Sequence, residues 1–211
     1  MEGSNSMDFI IDPEEIEEKS MKIIKEKIKE FDFSSAEAQI VKRVVHATAD
    51  FEYADLLVIS EEAIERGATA LREGADIVTD VNMLKEGITK GKIAEFGNQI
   101  HCFISDPETA SQAQELGITR SMMSMRTAVQ DSDNRVFAIG NAPTALFELI
   151  KLIRQGAVCP ELVVGTPIGF VGASQSKSEL EKLDIPHITV RGRKGGSPVA
   201  ASIVNALLYM V

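Results

Sequence analysis

Leu162-Val-Val-Gly-Thr-Pro-Ile-Gly-Phe-Val-Gly-Ala173 joins an apolar run of β-forming residues to a glycine-bearing turn and the start of a helix-forming stretch. The same design stands on either side of it, in Val136-Phe-Ala-Ile-Gly-Asn-Ala-Pro-Thr144 and in His187-Ile-Thr-Val-Arg-Gly-Arg-Lys-Gly-Gly-Ser-Pro198. Strands that read as nearly continuous apolar runs, each followed by helical pattern, belong to parallel sheets covered on both faces. Ligands of such sheets sit outside the carboxyl ends of the strands. All three loops lie at such ends, so the sequence predicts one composite binding edge. The last loop adds Arg191, Arg193 and Lys194 to exposed backbone amides, which suits a ligand carrying several carboxylates or phosphates.

Two shorter β-rich runs, Ile77-Val-Thr79 and Ile100-His-Cys-Phe-Ile104, bring the predicted strands to five. Helical pattern lies near Val81–Leu84, Pro107–Leu116, Arg120–Val129, Ala145–Ile153, Ser176–Leu183 and Val199–Leu208. This alternation predicts an α/β fold, a three-layer α/β/α sandwich around a five-stranded parallel sheet. Upstream, Asp12-Pro13-Glu14-Glu15 is a helix start: a capping aspartate, proline in the first turn and acids over the positive end of the dipole. Ile16, Ile23, Ile24, Ile28 and Phe31 mark its apolar face. A second start at Ser34-Ser35-Ala36-Glu37 leads into Ile40, Val41, Val44 and Val45 and delivers His46 near the helix end. Beyond Asp50 the pattern loosens until Ser60-Glu-Glu-Ala-Ile64 opens a third helix that Gly74 closes. Residues 7–211 thus read as one domain, with helices over roughly 13–74 preceding the sheet and packing onto it or onto a partner subunit. Residues 1–6 lack the basic and apolar regions of a signal peptide and read as a tag or disordered segment.

A chain of 211 residues suffices for one well-buried α/β core. No apolar run approaches the roughly 20 residues of a membrane span, so no membrane association is expected. A formal net charge of −10 argues against generic nucleic-acid binding, which needs a basic face. Any anionic ligand must be held by a local cationic site. Cys102, in an apolar run, is expected to be buried, and Cys159 precedes Pro160 in a loop. Two cysteines without pattern form neither a disulfide framework nor a zinc site and indicate a reducing cytoplasm.

Of the three histidines, His101 lies inside an apolar strand and His187 opens another, which favours structural roles. His46 ends an apolar helix and is followed by Ala-Thr-Ala-Asp-Phe-Glu. That context could leave its ring facing a cavity, with Thr48, Asp50 or Glu52 fixing the tautomer. On these residues alone a surface or capping histidine is the more economical reading. Gly165-Thr-Pro-Ile-Gly-Phe-Val-Gly lacks the Gly-x-Gly-x-x-Gly spacing of a dinucleotide loop, and Gly192-Arg-Lys-Gly-Gly-Ser lacks the order of an NTPase phosphate loop. Both serve equally as tight strand-to-helix turns. Three cations in Arg191-Gly-Arg-Lys194 nevertheless repel one another unless solvated or paired with an anion. Thr119-Arg120-Ser121 can cap a helix and aim its amides at an anion, and Asn141-Ala-Pro-Thr144 places an amide and a hydroxyl at a strand mouth. Asp80 and Asn82 could help bind magnesium, but no third acidic ligand stands at useful spacing, so no metal site is predicted.

Taken together, Ile16-Glu-Glu-Lys-Ser20, Val45-His-Ala-Thr-Ala-Asp-Phe-Glu52, Thr79-Asp-Val-Asn-Met83, Ile118-Thr-Arg-Ser121, Ile139-Gly-Asn-Ala-Pro-Thr-Ala-Leu146, Pro167-Ile-Gly-Phe-Val-Gly-Ala-Ser174 and Val190-Arg-Gly-Arg-Lys-Gly-Gly-Ser197 resemble the precorrin-8X methylmutase family of cobalamin biosynthesis. The likeness spans Ile16 to Leu208, and the sequence departs from the pattern at Ile168, where valine is expected. It implies a flavodoxin-like sheet in order 2-1-3-4-5, a homodimer with its active site near the subunit interface, and no cofactor. The implied reaction moves a methyl group from C11 to C12 of (cobalt-)precorrin-8 by an intramolecular 1,5-shift. His46 matches the family's catalytic position, which overturns the economical reading, and general-acid protonation of a ring nitrogen is the implied role. Ser20, Arg120, Ser121, Asn141, Thr144, Gly169, Arg191, Arg193, Lys194, Gly195, Gly196 and Ser197 are the implied contacts to the corrinoid polycarboxylate. The forms around His46 and Arg193-Lys194-Gly195 look more like the cobalt-pathway members. Competing readings are a nucleotide- or S-adenosylmethionine-dependent transferase using the same glycine loops, and a corrinoid-binding carrier.

Overall fold

The computed structural model describes residues 10–211, so the reading of residues 1–6 lies outside the described residues. In chain order the elements are α1 (Pro13–Ile28), α2 (Ser35–Thr48), α3 (Tyr53–Leu56), β1 (Leu57–Ile59), α4 (Ala63–Arg72), β2 (Asp76–Thr79), α5 (Asn82–Gly87), α6 (Lys90–Phe96) and β3 (Ile100–His101). They continue with α7 (Pro107–Leu116), α8 (Arg120–Ala128), β4 (Asn134–Ile139), α9 (Pro143–Arg154), β5 (Leu162–Gly165), α10 (Ala173–Leu180), β6 (His187–Val190) and α11 (Ser197–Leu208). The helix starts read from sequence are present. Asp12 caps α1 through the Glu15 amide at 3.0 Å, and Ser34 and Glu37 form a reciprocal capping box on α2.

The sheet order is β1-β6-β5-β4-β2-β3. From β2 onward every pairing is parallel, and those five strands, renumbered among themselves, follow the flavodoxin-like order 2-1-3-4-5. The expected count of five is corrected to six, because β1 adds an antiparallel edge against β6, with Leu57 opposite Val190 and Ile59 opposite Ile188. The region 13–74 is therefore not wholly helical. A strand of three half-buried residues directly following a helical turn is too short to show a period of two.

Strand side chains alternate between two cores. Ile77, Val136, Ala138, Leu162, Val164, Ile188 and Val190 bury against α2, α4 and α11. Val78, Phe137, Ile139 and Val163 bury against α8, α9 and α10. Helix α11 is buried almost all round, since it lies between the sheet and α2; a helix so placed needs apolar residues on every side. By contrast α1 sinks Ile24 and Ile28 but leaves Ile16 45% and Ile23 54% exposed, so part of its apolar face has no cover among the described residues. Cys102 is half-buried rather than buried, because β3 stops at His101. No helix among the described residues is long and apolar enough to cross a membrane.

Candidate active site

The three glycine-bearing loops converge, as their places at the ends of adjacent strands β4, β5 and β6 require. The Thr166 amide donates to the Ile139 carbonyl at 2.8 Å, the Gly196 amide to the Thr166 carbonyl at 2.8 Å, and the Gly169 amide to the Arg193 carbonyl at 3.2 Å. Gly195 lies so close to β5 that a Cβ there would stand 2.2 Å from the Thr166 oxygen, and its φ of +149° is in the region that favours glycine. A Cβ on Gly140 would meet the Ser197 Cα at 2.7 Å. These glycines permit contact between backbones.

Asp80 organises the first loop. Its fully buried carboxylate accepts the amides of Gly140, Asn141 and Ala142 at 3.0, 2.8 and 2.7 Å. Burial raises this carboxyl above the ordinary carboxylate range, and the three amides offset part of that rise. The protein thus supplies its own anion to that nest, leaving the side chains of Asn141 and Thr144, not the loop's amides, for a ligand. Thr144 meets the start of α8: the Thr119 hydroxyl caps the Met122 amide at 3.2 Å and lies 3.3 Å from the Thr144 hydroxyl. Arg120 and Asn141 are exposed here, with Ser121 half-buried beside them.

The cationic loop is less free than its sequence suggests. Lys194 is bonded to both Asp50 and Glu52, and these hydrogen bonds raise the Lys194 ammonium above its ordinary range. Arg191 sits 3.6 Å from Glu181. Arg193 has no carboxylate partner among the described residues and lies 5.8 Å from the centre of the exposed Phe170 ring. The anticipated repulsion is relieved largely by internal acids. Asp50 and Glu52 therefore do not fix a His46 tautomer, and the Thr48 hydroxyl donates to the Val44 carbonyl at 2.8 Å; that expectation is corrected.

His46 is exposed in the last turn of α2. Its ring makes no hydrogen bond among the described residues. With Ser20, Ile23, Ile24, Val45, Ala49 and Phe51 it lines a cavity of about 220 Å³. The Ser20 hydroxyl donates back to the Ile16 carbonyl at 2.8 Å. Ser20 and His46 are thus brought together, and none of the loop cations lines their cavity. The link between the two regions is the segment after α2. Asp50 and Glu52 hold Lys194, and the Tyr53 hydroxyl donates to the Gly195 carbonyl at 3.4 Å. The other histidines have internal partners: His101 bonds Asp76 at 2.9 Å and buried His187 bonds the Ile185 carbonyl at 2.9 Å.

The family described as precorrin-8X methylmutase matches residues 15–210. The chain belongs to the precorrin-8X methylmutase family. A cobalt-precorrin-8 methylmutase of Priestia megaterium is 44% identical over 197 residues, covering 93% of this chain and 88% of that protein. Its counterpart in Salmonella typhimurium is 45% identical over 209 residues, covering 96% and 98%. The crystal structure of precorrin-8X methylmutase from Thermus thermophilus superposes with a TM-score of 0.87 at 36% identity, covering 93% of this chain and 95% of that one. Membership of a methylmutase family leaves the transferase reading without support. Sequence reasoning overlooked Asp80 as a loop organiser, Tyr53 as a brace and Lys177, whose fully buried ammonium donates to the Lys194 carbonyl at 2.6 Å. A lone lysine in Ser-Gln-Ser-Lys-Ser-Glu carries no signal of burial; the motif around Asp80 did carry one, but was weighed for a metal.

Proposed function

We propose that this protein is a cobalt-precorrin-8 methylmutase, an isomerase that moves a methyl group from C11 to C12 of the corrinoid within one molecule. The observation that carries the reading is the exposed His46 ring at the rim of an apolar cavity it shares with Ser20, in a chain of this family. An imidazole with no hydrogen-bond partner among the described residues is available to give a proton to a ring nitrogen of the macrocycle, drawing electron density from the conjugated system as the methyl migrates. Arg120, Arg191 and Arg193, with Lys194 and the polar groups of Ser20, Ser121, Asn141, Thr144 and the Gly169 and Gly195-Gly196-Ser197 turns, receive the peripheral carboxylates. Of these cations Arg120 and Arg193 have no carboxylate partner among the described residues, while Lys194 is held by Asp50 and Glu52 and Arg191 lies near Glu181.

The cavity of about 220 Å³ is below the roughly 300–1,000 Å³ of typical small-molecule sites. It is flanked by Ile23 at 54% and Phe51 at 39% exposure. We therefore assign the missing wall to a second copy of the chain, in a homodimer. The cobalt form of the substrate is favoured because the cobalt-precorrin-8 methylmutases above are 44% and 45% identical to this chain. The free thiols of Cys102 and Cys159 suit the cytoplasm. The test is an absorbance assay of cobalt-loaded and metal-free substrate side by side, with wild type and His46→Ala. Turnover by wild type, faster on the cobalt form, and a loss of about 10²–10⁴-fold in the variant with product affinity kept, are expected. Near-full turnover by His46→Ala would remove His46 from the chemistry. Tight product binding without turnover by wild type would favour the carrier.

A further inference from the structure

Lys177 is the fully buried lysine of α10. A buried ammonium normally has a carboxylate beside it, because an uncompensated charge in the interior is costly. Lys177 forms no ion pair among the described residues; its one hydrogen bond is the 2.6 Å donation to the backbone carbonyl of Lys194. Burial pushes the group down to about 8, which leaves it mostly protonated at neutral pH. A charge held at such cost against one carbonyl is well placed to orient that peptide.

The Lys194–Gly195 peptide is trans, since there are no cis bonds among the described residues. In a planar trans peptide the carbonyl and the amide N–H point in opposite directions. With the Lys194 oxygen drawn inward to the buried ammonium, the Gly195 N–H is turned outward, and it has no acceptor among the described residues. Every neighbouring link is fixed: the Arg193 carbonyl takes the Gly169 amide, the Gly196 amide goes to Thr166, and the Gly195 carbonyl takes the Tyr53 hydroxyl. The absence of a Cβ at Gly195 lets the loop lie against Thr166 in this pose.

We propose that Lys177 is a positioning residue for substrate binding: by pinning the Lys194 carbonyl it presents the Gly195 N–H, two residues along the loop from Arg193, to one peripheral carboxylate of the corrinoid. This rests on the proposed methylmutase activity and deepens it, since it assigns a defined donor to the macrocycle's rim. The contact is made equally to substrate and to transition state, so it acts on affinity and not on the rate of methyl migration.

Two measurements test it. In wild type, the amide proton of Gly195, followed by NMR during titration with cobyrinate, should move strongly downfield as a carboxylate takes it, while distant amides stay still. Lys177→Met keeps an unbranched apolar stem, one atom shorter, and removes the donor; it should raise Kd for product and KM about tenfold with kcat within about twofold, the loss expected for one charge-assisted hydrogen bond. An unmoved Gly195 amide in a wild-type protein that binds cobyrinate overturns the role of Lys177 and leaves the methylmutase reading standing. A folded Lys177→Met with unchanged Kd does the same, and reduces Lys177 to packing. Wild type that binds no cobyrinate overturns both. Should Lys177→Met not fold, the wild-type titration alone decides.

Discussion

Replacing Asp80 with asparagine is a near-isosteric change at a position with no solvent access, so its effect reads the carboxylate's hydrogen bonds almost alone. One oxygen accepts the Asn141 and Ala142 amides at 2.8 and 2.7 Å; the other accepts Gly140 at 3.0 Å. In Asp80→Asn the carbonyl oxygen can keep the first pair, but the new NH₂ then faces the Gly140 N–H, donor against donor. One buried amide without a partner costs about 1–3 kcal/mol, and the two retained bonds lose their charge assistance, for a total of about 2–4 kcal/mol. At about 2–4 °C per kcal/mol for a chain of this size, Tm should fall by about 5–15 °C. Asp80→Ala, which strands all three amides, should fall further. Gly140 has no room to move away, because Ser197 is packed against its backbone. Differential scanning calorimetry with circular dichroism measures both variants. An Asp80→Asn protein melting within about 1 °C of wild type would refute the view that this internal anion holds the β4–α9 loop.

Lys177 gives a pH signature in stability. Burial lowers its folded-state pKa from 10.5 to about 8, so between those values the unfolded chain holds more protons and stability rises with pH. The contribution is fully present above 10.5 and is lost as pH falls through 8. The stability of wild type relative to Lys177→Met, from urea unfolding, should therefore grow by about 3 kcal/mol from pH 7 to pH 10.5; a flat difference would contradict the buried, titrating amine. Arg193, which has no internal carboxylate among the described residues, should govern affinity: Arg193→Ala is expected to raise KM with little change in kcat. Equal KM in variant and parent, with a lower Tm, would make Arg193 structural.

The parallel strands were legible because each carries enough apolar residues in sequence to be buried on both faces, and the helix starts because capping residues act locally. β1 was hidden: its three residues become a strand by pairing with β6, a contact between Leu57 and Val190 that no local pattern records. The same limit applied at the site. The convergence of the glycine loops followed from their common position at strand ends. The destination of each charge did not. Lys194 and Asp50 are far apart in sequence and adjacent in space, so a cluster that read as an anion site is largely balanced from within. His46 was weak on its residues alone and is proposed as the proton donor on the resemblance, while its shared cavity with Ser20 appears once α1 packs on α2.

A methylmutase of this kind moves the methyl group within one molecule. Substrate carrying ¹³C in the C11 methyl is mixed with substrate carrying a heavy macrocycle and an ordinary methyl, and converted by the purified protein without a methyl donor. Mass spectrometry and NMR of the product should find the ¹³C at C12 of light macrocycles alone, with each heavy macrocycle keeping its own unlabelled methyl. Products that combine the ¹³C methyl with the heavy macrocycle, or turnover that appears only when S-adenosylmethionine is added, would contradict the mutase account.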